Sequence, residues 1–246
     1  MTGRWSVSGR RSLANRVGAR TDCLRVENMT TKEKRRKSKR DRRRDAMKQA
    51  AIEVFYEHGY HAAKVSQIVE RVGVAQGTFY LYFEGKQQLF GELLSDFLEL
   101  VVTTVANWDP GDIDSRKVLQ RELKRVGMLL TEVFLDNREI TAIFFRESLA
   151  VAPEFNTLIR HAYETLLALL TDFNRILHRR GLIAEMDFRV LATMTVGMVE
   201  RVIVERIVHD SLEEKEPTDI VDHLVMHYMA GTTDDIEGYE AQEELR

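Results

Sequence analysis

The sequence predicts an all-α protein: an N-terminal three-helix helix-turn-helix domain, joined by a long helix to a larger helical domain. Three observations predict it. Apolar residues recur three and four apart through most of the 246 residues, the helical period. There is no long Val/Thr alternation of the kind a half-buried strand shows. Only 14 Gly and 3 Pro interrupt the chain, and Pro110, Pro153 and Pro217 all fall in gaps between helical patterns, where a missing N–H does least harm.

Taken in order, residues 1–42 form an arginine-rich stretch without periodicity, which predicts a disordered basic arm. The first amphipathic stripe is Met47, Ala50, Ala51, Val54 and Phe55, closed by Gly59. Val65, Ile68, Val69 and Val72 draw a second, short helix. Gly73 ends it, because glycine takes the left-handed conformation at no steric cost. A third helix begins near Ala75, with Phe79 and Phe83 four apart on its inner face. Residues 43–85 thus make one small domain. Lys86–Asn107 is a single long helix of about 33 Å, and its wide apolar face suits a helix shared by two cores. After a loop from Trp108 to Asp114 come helices over Ser115–Leu135, Arg138–Ala150, Pro153–Arg180, Asp187–Ser211 and Thr218–Ala230. Residues 86–231 form the larger domain, and 232–246 an acidic flexible tail.

Charge is distributed unevenly. Residues 1–45 carry a formal +11 and the rest −14, for a net −3. A localised contact with a polyanion is favoured over a general nucleic-acid coat. The run from Lys32 to Arg44 reads either as a solvated tail or as an arm that lies along phosphates or enters the minor groove; in the second reading, deleting residues up to Arg40 flattens the salt dependence of DNA binding. The one cysteine, Cys23, permits no intrachain disulfide, which fits a reducing cytoplasm. No apolar run is long enough to cross a membrane. No catalytic motif is present, neither GxSxG, Walker loop, dinucleotide fingerprint nor HExxH, so no enzyme and no cofactor is expected. His223 and His227 stand four apart, a metal-capable spacing, but no third ligand is evident and no metal is expected.

The stretch Val65–Lys86 carries the chemistry. Its third helix turns Gln76, Gly77, Tyr80 and Leu81 outward, a small hydrogen-bonding face suited to a major groove. Thr78 and Tyr82 flank it, and Lys86 is placed to meet phosphate. The words FYEHGYHAAKVSQIVERVGVAQGTFYLYFEGKQQLF, from Phe55 to Phe90, resemble the TetR/AcrR family of bacterial transcriptional regulators. The resemblance implies DNA contacts at Gln76, Gly77, Thr78, Tyr80, Tyr82 and Lys86, and a core built on Phe55, Ile68, Val72, Phe79 and Phe83. The family's first helix begins soon after its first residue, which marks Met29 as an alternative start. Relatives usually carry Ser or Thr where Ala63 and Lys64 stand. Ala63 cannot cap by its side chain, a loss of about 1 kcal/mol, while Lys64 offers charge to a phosphate. Lys64 and Ser66 complete the expected DNA-contacting set.

The larger domain clusters Phe134, Phe144, Phe145, Phe173, Met194 and Met198, side chains able to line an adaptable apolar pocket as well as a plain core. Arg146 and His161 are the polar candidates there, although Arg146 could instead pair with Glu147. The resemblance implies a small-molecule effector in this domain, here expected to be hydrophobic or amphipathic. It also implies a homodimer built from the last two helices, with Gly197, Val202, Ile203, Ile207, Ile220, Leu224, His227 and Tyr228 as the expected surface. The function so implied is a ligand-responsive regulator: a repressor dimer on a palindromic double-stranded operator, released by its inducer. The competing readings are an activator of the same fold and a non-specific architectural DNA binder.

Overall fold

A computed structural model of the chain describes residues 31–108, 111, 113–147 and 155–233. Among them are nine α-helices, one π-helical turn and no strand. The expectations for residues 1–30 and for the tail from 234 onward lie outside the described residues.

Helix α1, Thr31–Ala62, starts earlier than the charge pattern suggests. Lys, Arg and Glu are strong helix formers, and neither Gly nor Pro breaks the run. The part of the arm from Thr31 onward is therefore helical in its backbone. Gly59, at φ 74° and ψ 156°, interrupts the helix near its end. By its contacts the chain divides into two compact units, 1–49 and 50–246. The described part of the first is helical throughout, and the second holds every element from the middle of α1 onward.

Helix α2, Val65–Val72, buries Ile68 and Val69. Its N-cap is Lys64, whose side chain cannot accept a hydrogen bond. The cap is made from the other direction: the Lys64 N–H donates to Gln67 Oε1 at 2.8 Å. The expected capping deficit falls on Lys64 rather than on Ala63, which lies outside the helix and is buried. Gly73 ends α2 at φ 70° and ψ 39°. Its N–H and that of Val74 return to the carbonyls of Glu70 and Val69 at 3.1 and 3.0 Å, a Schellman-type closure.

Helix α3, Gln76–Phe79, is a single turn, shorter than the pattern suggested. Ala75 supplies no side-chain cap, and Gly77 costs helix about 1 kcal/mol relative to Ala. Turns follow, yet the Phe83 N–H still reaches Phe79 O at 3.1 Å. Phe79 and Phe83 are both buried, with ring centroids 5.5 Å apart.

Helix α4, Lys86–Ala106, buries Leu89, Phe90, Leu93, Leu94, Phe97, Leu98 and Val101. The remaining helices are α5 (Arg116–Asp136), α6 (Arg138–Glu147), α7 (Asn156–Arg179), α8 (Phe188–Ile203) and α9 (Pro217–Ala230). Helix α4 packs on α5, α6 and α7, while α7 pairs with α8 and α5 with α9. Ser115 caps α5 and Asp187 caps α8. The single helix expected over Asp187–Ser211 is instead α8 followed by a π-helical turn, Val204–Val208. The His209 N–H bonds Val204 O, five residues back, at 3.1 Å, and Asp210 then takes a left-handed φ of 55°. At one end of the bundle, Ile113, Leu119, Phe173, Leu177, Leu182, Ile183, Leu191 and Tyr228 form a core cluster. Arg116 ties it off by donating to Leu182 O (2.7 Å), Thr232 O (3.3 Å) and Met229 O.

Candidate nucleic-acid interface and effector cavity

The outer face of α3 follows from its inner one. With Phe79 and Phe83 buried, Gln76 and Gly77 are exposed, Tyr80 is 55% exposed and Leu81 72%. Tyr80 ends α3 and Leu81 lies in the turn after it. Lys64 and Ser66 are exposed, while Thr78 and Tyr82 are half-buried on the flanks. A Cβ added to Gly77 would meet nothing within 4 Å. No contact inside the protein asks for glycine there.

Lys86 departs from expectation. Its Nζ donates to the carbonyls of Tyr60 (2.6 Å), His61 (3.0 Å) and Ala63 (2.9 Å), and lies 4.7 Å from the Tyr60 ring centroid. All three ammonium donors are thus used at the C-terminal end of α1, where a cation suits the helix dipole. Partial burial pulls its pKa below the ordinary lysine value. Its main visible role is to fasten α1 to α4. Arg71 does similar work on the surface, pairing with Glu53 at 3.0 Å and with Glu57.

In the larger helical part, a cavity of about 240 Å³ opens between α4, α5, α6, α7, α8, the π-helical turn and α9. Phe134, Phe144, Phe145 and Phe173 line it as expected. Four expected residues do not. Arg146 is exposed and stacks over the Tyr56 ring at 5.2 Å; the side chain of Glu147 lies outside the described set. His161 is exposed on α7, Met194 is 58% exposed, and Met198 does not reach the wall. Tyr163, a member of the same aromatic cluster in the sequence, lines it too, and the residues that the periodicity missed include Phe97, Trp108, Glu200 and Arg206. The Tyr163 hydroxyl bonds the Glu200 carboxylate, and burial, with the Glu200 charge, pushes the Tyr163 pKa well up. The hydroxyl of Tyr228, a residue on the cavity wall, donates to Asn174 Oδ1 at 2.6 Å.

The surface expected to join two copies is largely turned inward. Val202, Ile203, Ile207, Ile220, Leu224 and Tyr228 line the cavity, and only Gly197 and His227 are exposed. The exposed apolar side chains of α8 and α9 are Val190 (53%), Met194 and Met226 (52%). The two helices are apolar on both sides: most of the stripe chosen from the sequence is the inner one, while Val190 and Met194, also offered by the sequence for that surface, face outward. His223 Nδ1 lies 2.7 Å from Asp219 O in its own helix. Among the described residues no group of three His, Cys, Asp or Glu could hold a metal, and no helix is long and apolar enough to cross a membrane.

A short helix held by two buried phenylalanines, following a glycine-closed helix and presenting polar and aromatic groups outward, defines a helix-turn-helix DNA-binding protein. Residues 49–93 match the family described as bacterial regulatory proteins, tetR family. The chain is 32% identical over 168 residues to the HTH-type transcriptional regulator YdgC of Bacillus subtilis, covering 67% of this chain and 80% of that protein. The chain therefore belongs to the TetR family of bacterial transcriptional regulators. Among solved structures, the fatty acid degradation regulator FadR from Bacillus halodurans shares the fold at TM-score 0.62 and 24% identity, over 76% of this chain and 94% of that one. FadR from Bacillus subtilis, solved in complex with stearoyl-CoA, shares it at TM-score 0.59 and 20% identity, over 76% and 97%.

Proposed function

We propose that the protein is a cytoplasmic, ligand-responsive repressor that binds a palindromic double-stranded operator as a homodimer and is released by a small amphipathic inducer. In this reading residues 43–85 bind DNA, and residues 86–231 bind the effector and the second subunit. The observation that carries it is α3 with the turn after it, where outward Gln76, Gly77, Tyr80 and Leu81 are set against buried Phe79 and Phe83. Gln76 can donate and accept at a base edge, and Gly77, unneeded inside the protein, lets the backbone approach the groove. Thr78, Tyr82, Lys64 and Ser66 supply phosphate contacts. A dimer sets two such helices about 34 Å apart, one turn of DNA. Its surface is the outer side of α8 and α9, where Val190, Met194, Gly197, Met226 and His227 stand exposed.

The cavity is the effector site. That a structural neighbour holds stearoyl-CoA supports a ligand with an apolar chain. Release follows from linkage: an effector that fits the conformation with misplaced reading heads weakens DNA binding by the factor with which DNA weakens effector binding. The test compares binding to DNA upstream of the protein's own gene with binding to random duplex at fixed salt. A gap of about 4 kcal/mol or more is expected. The double variant Gln76→Ala/Tyr80→Ala should remove that gap while leaving the folded state intact. Equal affinity for both DNAs would instead support a non-specific architectural role. Loss of the protein should raise transcription from the operator; a fall would make it an activator.

A further inference from the structure

The cavity wall is almost entirely carbon, and its exceptions identify the occupant's polar end. Two side chains that line it carry buried N–H groups with no acceptor among the described residues: Trp108 Nε1 and Arg206 Nε. A buried donor without a partner bears its full desolvation penalty, so an orphan in a folded protein calls for a cause. The arginine is the more specific of the two. Its Nη1 donates to Leu212 O at 2.7 Å and Lys215 O at 2.6 Å, fixing the loop between α8 and α9. Its opposite edge, Nε with Nη2, meets no protein acceptor and no carboxylate among the described residues. That edge is the fork which binds a carboxylate with two parallel hydrogen bonds.

The backbone adds an independent sign. Arg206 sits within the π-helical turn Val204–Val208, a local widening that concentrates at functional sites. The other charge on the wall, Glu200, already accepts the Tyr163 hydroxyl. Donors, not acceptors, are left wanting partners. A volume of about 240 Å³ lies below the usual range of roughly 300–1,000 Å³ for drug-sized sites. It suits a chain with a compact head rather than one with an internal nucleotide.

We propose that the effector is an amphiphile whose head is a free carboxylate, held bidentately by the Nε/Nη2 edge of Arg206. Occupying the fork stiffens the π-helical turn and the loop that Arg206 already fixes. This assignment rests on the cavity being the effector site.

Chain-matched probes test it: decanoate, decan-1-ol, decylamine and decanoyl-CoA, each below its micellar concentration. In a Trp5→Phe background Trp108 is the sole tryptophan, and its emission reports filling of the cavity, with calorimetry for variants at Trp108 itself. Decanoate should bind at least ~10-fold tighter than decan-1-ol and decylamine, and tighter than decanoyl-CoA. Arg206→Lys keeps the charge and a donor for the loop carbonyls but lacks the fork. It should erase most of the decanoate advantage while leaving decan-1-ol affinity and the unfolding midpoint unchanged. Trp108→Phe, read by calorimetry, should leave the advantage of decanoate over decan-1-ol in place. Equal binding of all four probes, preference for the amine or the thioester, or an advantage that survives Arg206→Lys would each overturn the carboxylate assignment and leave the cavity reading standing. No change in Trp108 emission with any probe would sink both.

Discussion

Replacing Lys86 by Met separates two roles that a lysine at the foot of a reading helix could have. Methionine keeps the length and apolar stem but cannot donate to the carbonyls of Tyr60, His61 and Ala63. The His61 bond is exposed, and water can replace the ammonium there. The Tyr60 and Ala63 bonds are part-buried, and each abandoned acceptor costs about 1–3 kcal/mol. Relief from burying a cation, which already lowers the Lys86 pKa, returns part of this. The net loss should be about 2 kcal/mol. In urea, with a slope near ~2 kcal/mol per M, the midpoint should fall by roughly 1 M at unchanged slope. Operator affinity at low temperature, where the variant is folded, should drop by no more than the misplacement of α1 dictates. The salt slope of binding should stay as it was. If the midpoint does not move while affinity falls and the salt slope shrinks by about one, Lys86 spends its charge on a phosphate, and the fastening role assigned to it is wrong.

Three further perturbations have defined outcomes. Gly77→Ala should raise stability by up to about 1 kcal/mol, since the added Cβ meets nothing inside the protein, yet weaken operator binding; affinity equal to wild type would show that the backbone there does not approach DNA. The Glu57 carboxyl is held below its ordinary value by the hydrogen bond from Arg71. Its contribution is therefore present above the ordinary glutamate pKa and lost as pH falls through the lowered one, so Glu57→Gln should lower Tm slightly at pH 7 and by progressively less as pH falls below the ordinary glutamate value. A difference that does not shrink with falling pH would discount the pair. Met194→Glu, on the outer face of α8, should leave the fold intact but give a monomer by light scattering at micromolar concentration, with operator affinity falling in step; a dimer of unchanged affinity would move the interface elsewhere.

Periodicity and turn chemistry made the reading head legible. Val65, Ile68, Val69 and Val72, followed by a left-handed glycine, leave few alternatives for α2. The Phe79/Phe83 pair likewise settles which side of α3 faces in. Lys86 was harder, because its partners lie 23 to 26 residues upstream, and a charge beside a motif reads as solvent-facing until the chain is folded back. In the larger part, the period finds stripes but does not say which of two faces is turned inward. Helix α8 is apolar on both, so Met194 was expected in the pocket and is exposed, while Val202 and Ile203 were expected at a dimer surface and line the cavity. Trp108 stands in a loop and belongs to no stripe. Arg206, a charge between Ile203 and Ile207, carries no sequence sign that it faces inward. The π-helical turn that places it depends on contacts with α6 that local propensity does not encode.

Helix α6 is ten residues long and gripped at both ends by cations. Arg138 holds Asp210, just past the π-helical turn, at 2.6 Å, and Arg146 lies on Tyr56 of α1. It is a tie-rod between the end of the π-helical turn and α1. Both of its grips are open to solvent rather than packed, and the first is an ion pair that electrolyte screens. If the proposed effector acts on DNA binding through this rod, the response should fade with rising ionic strength even where each site still fills, and strengthening the Arg138 grip alone should sharpen it.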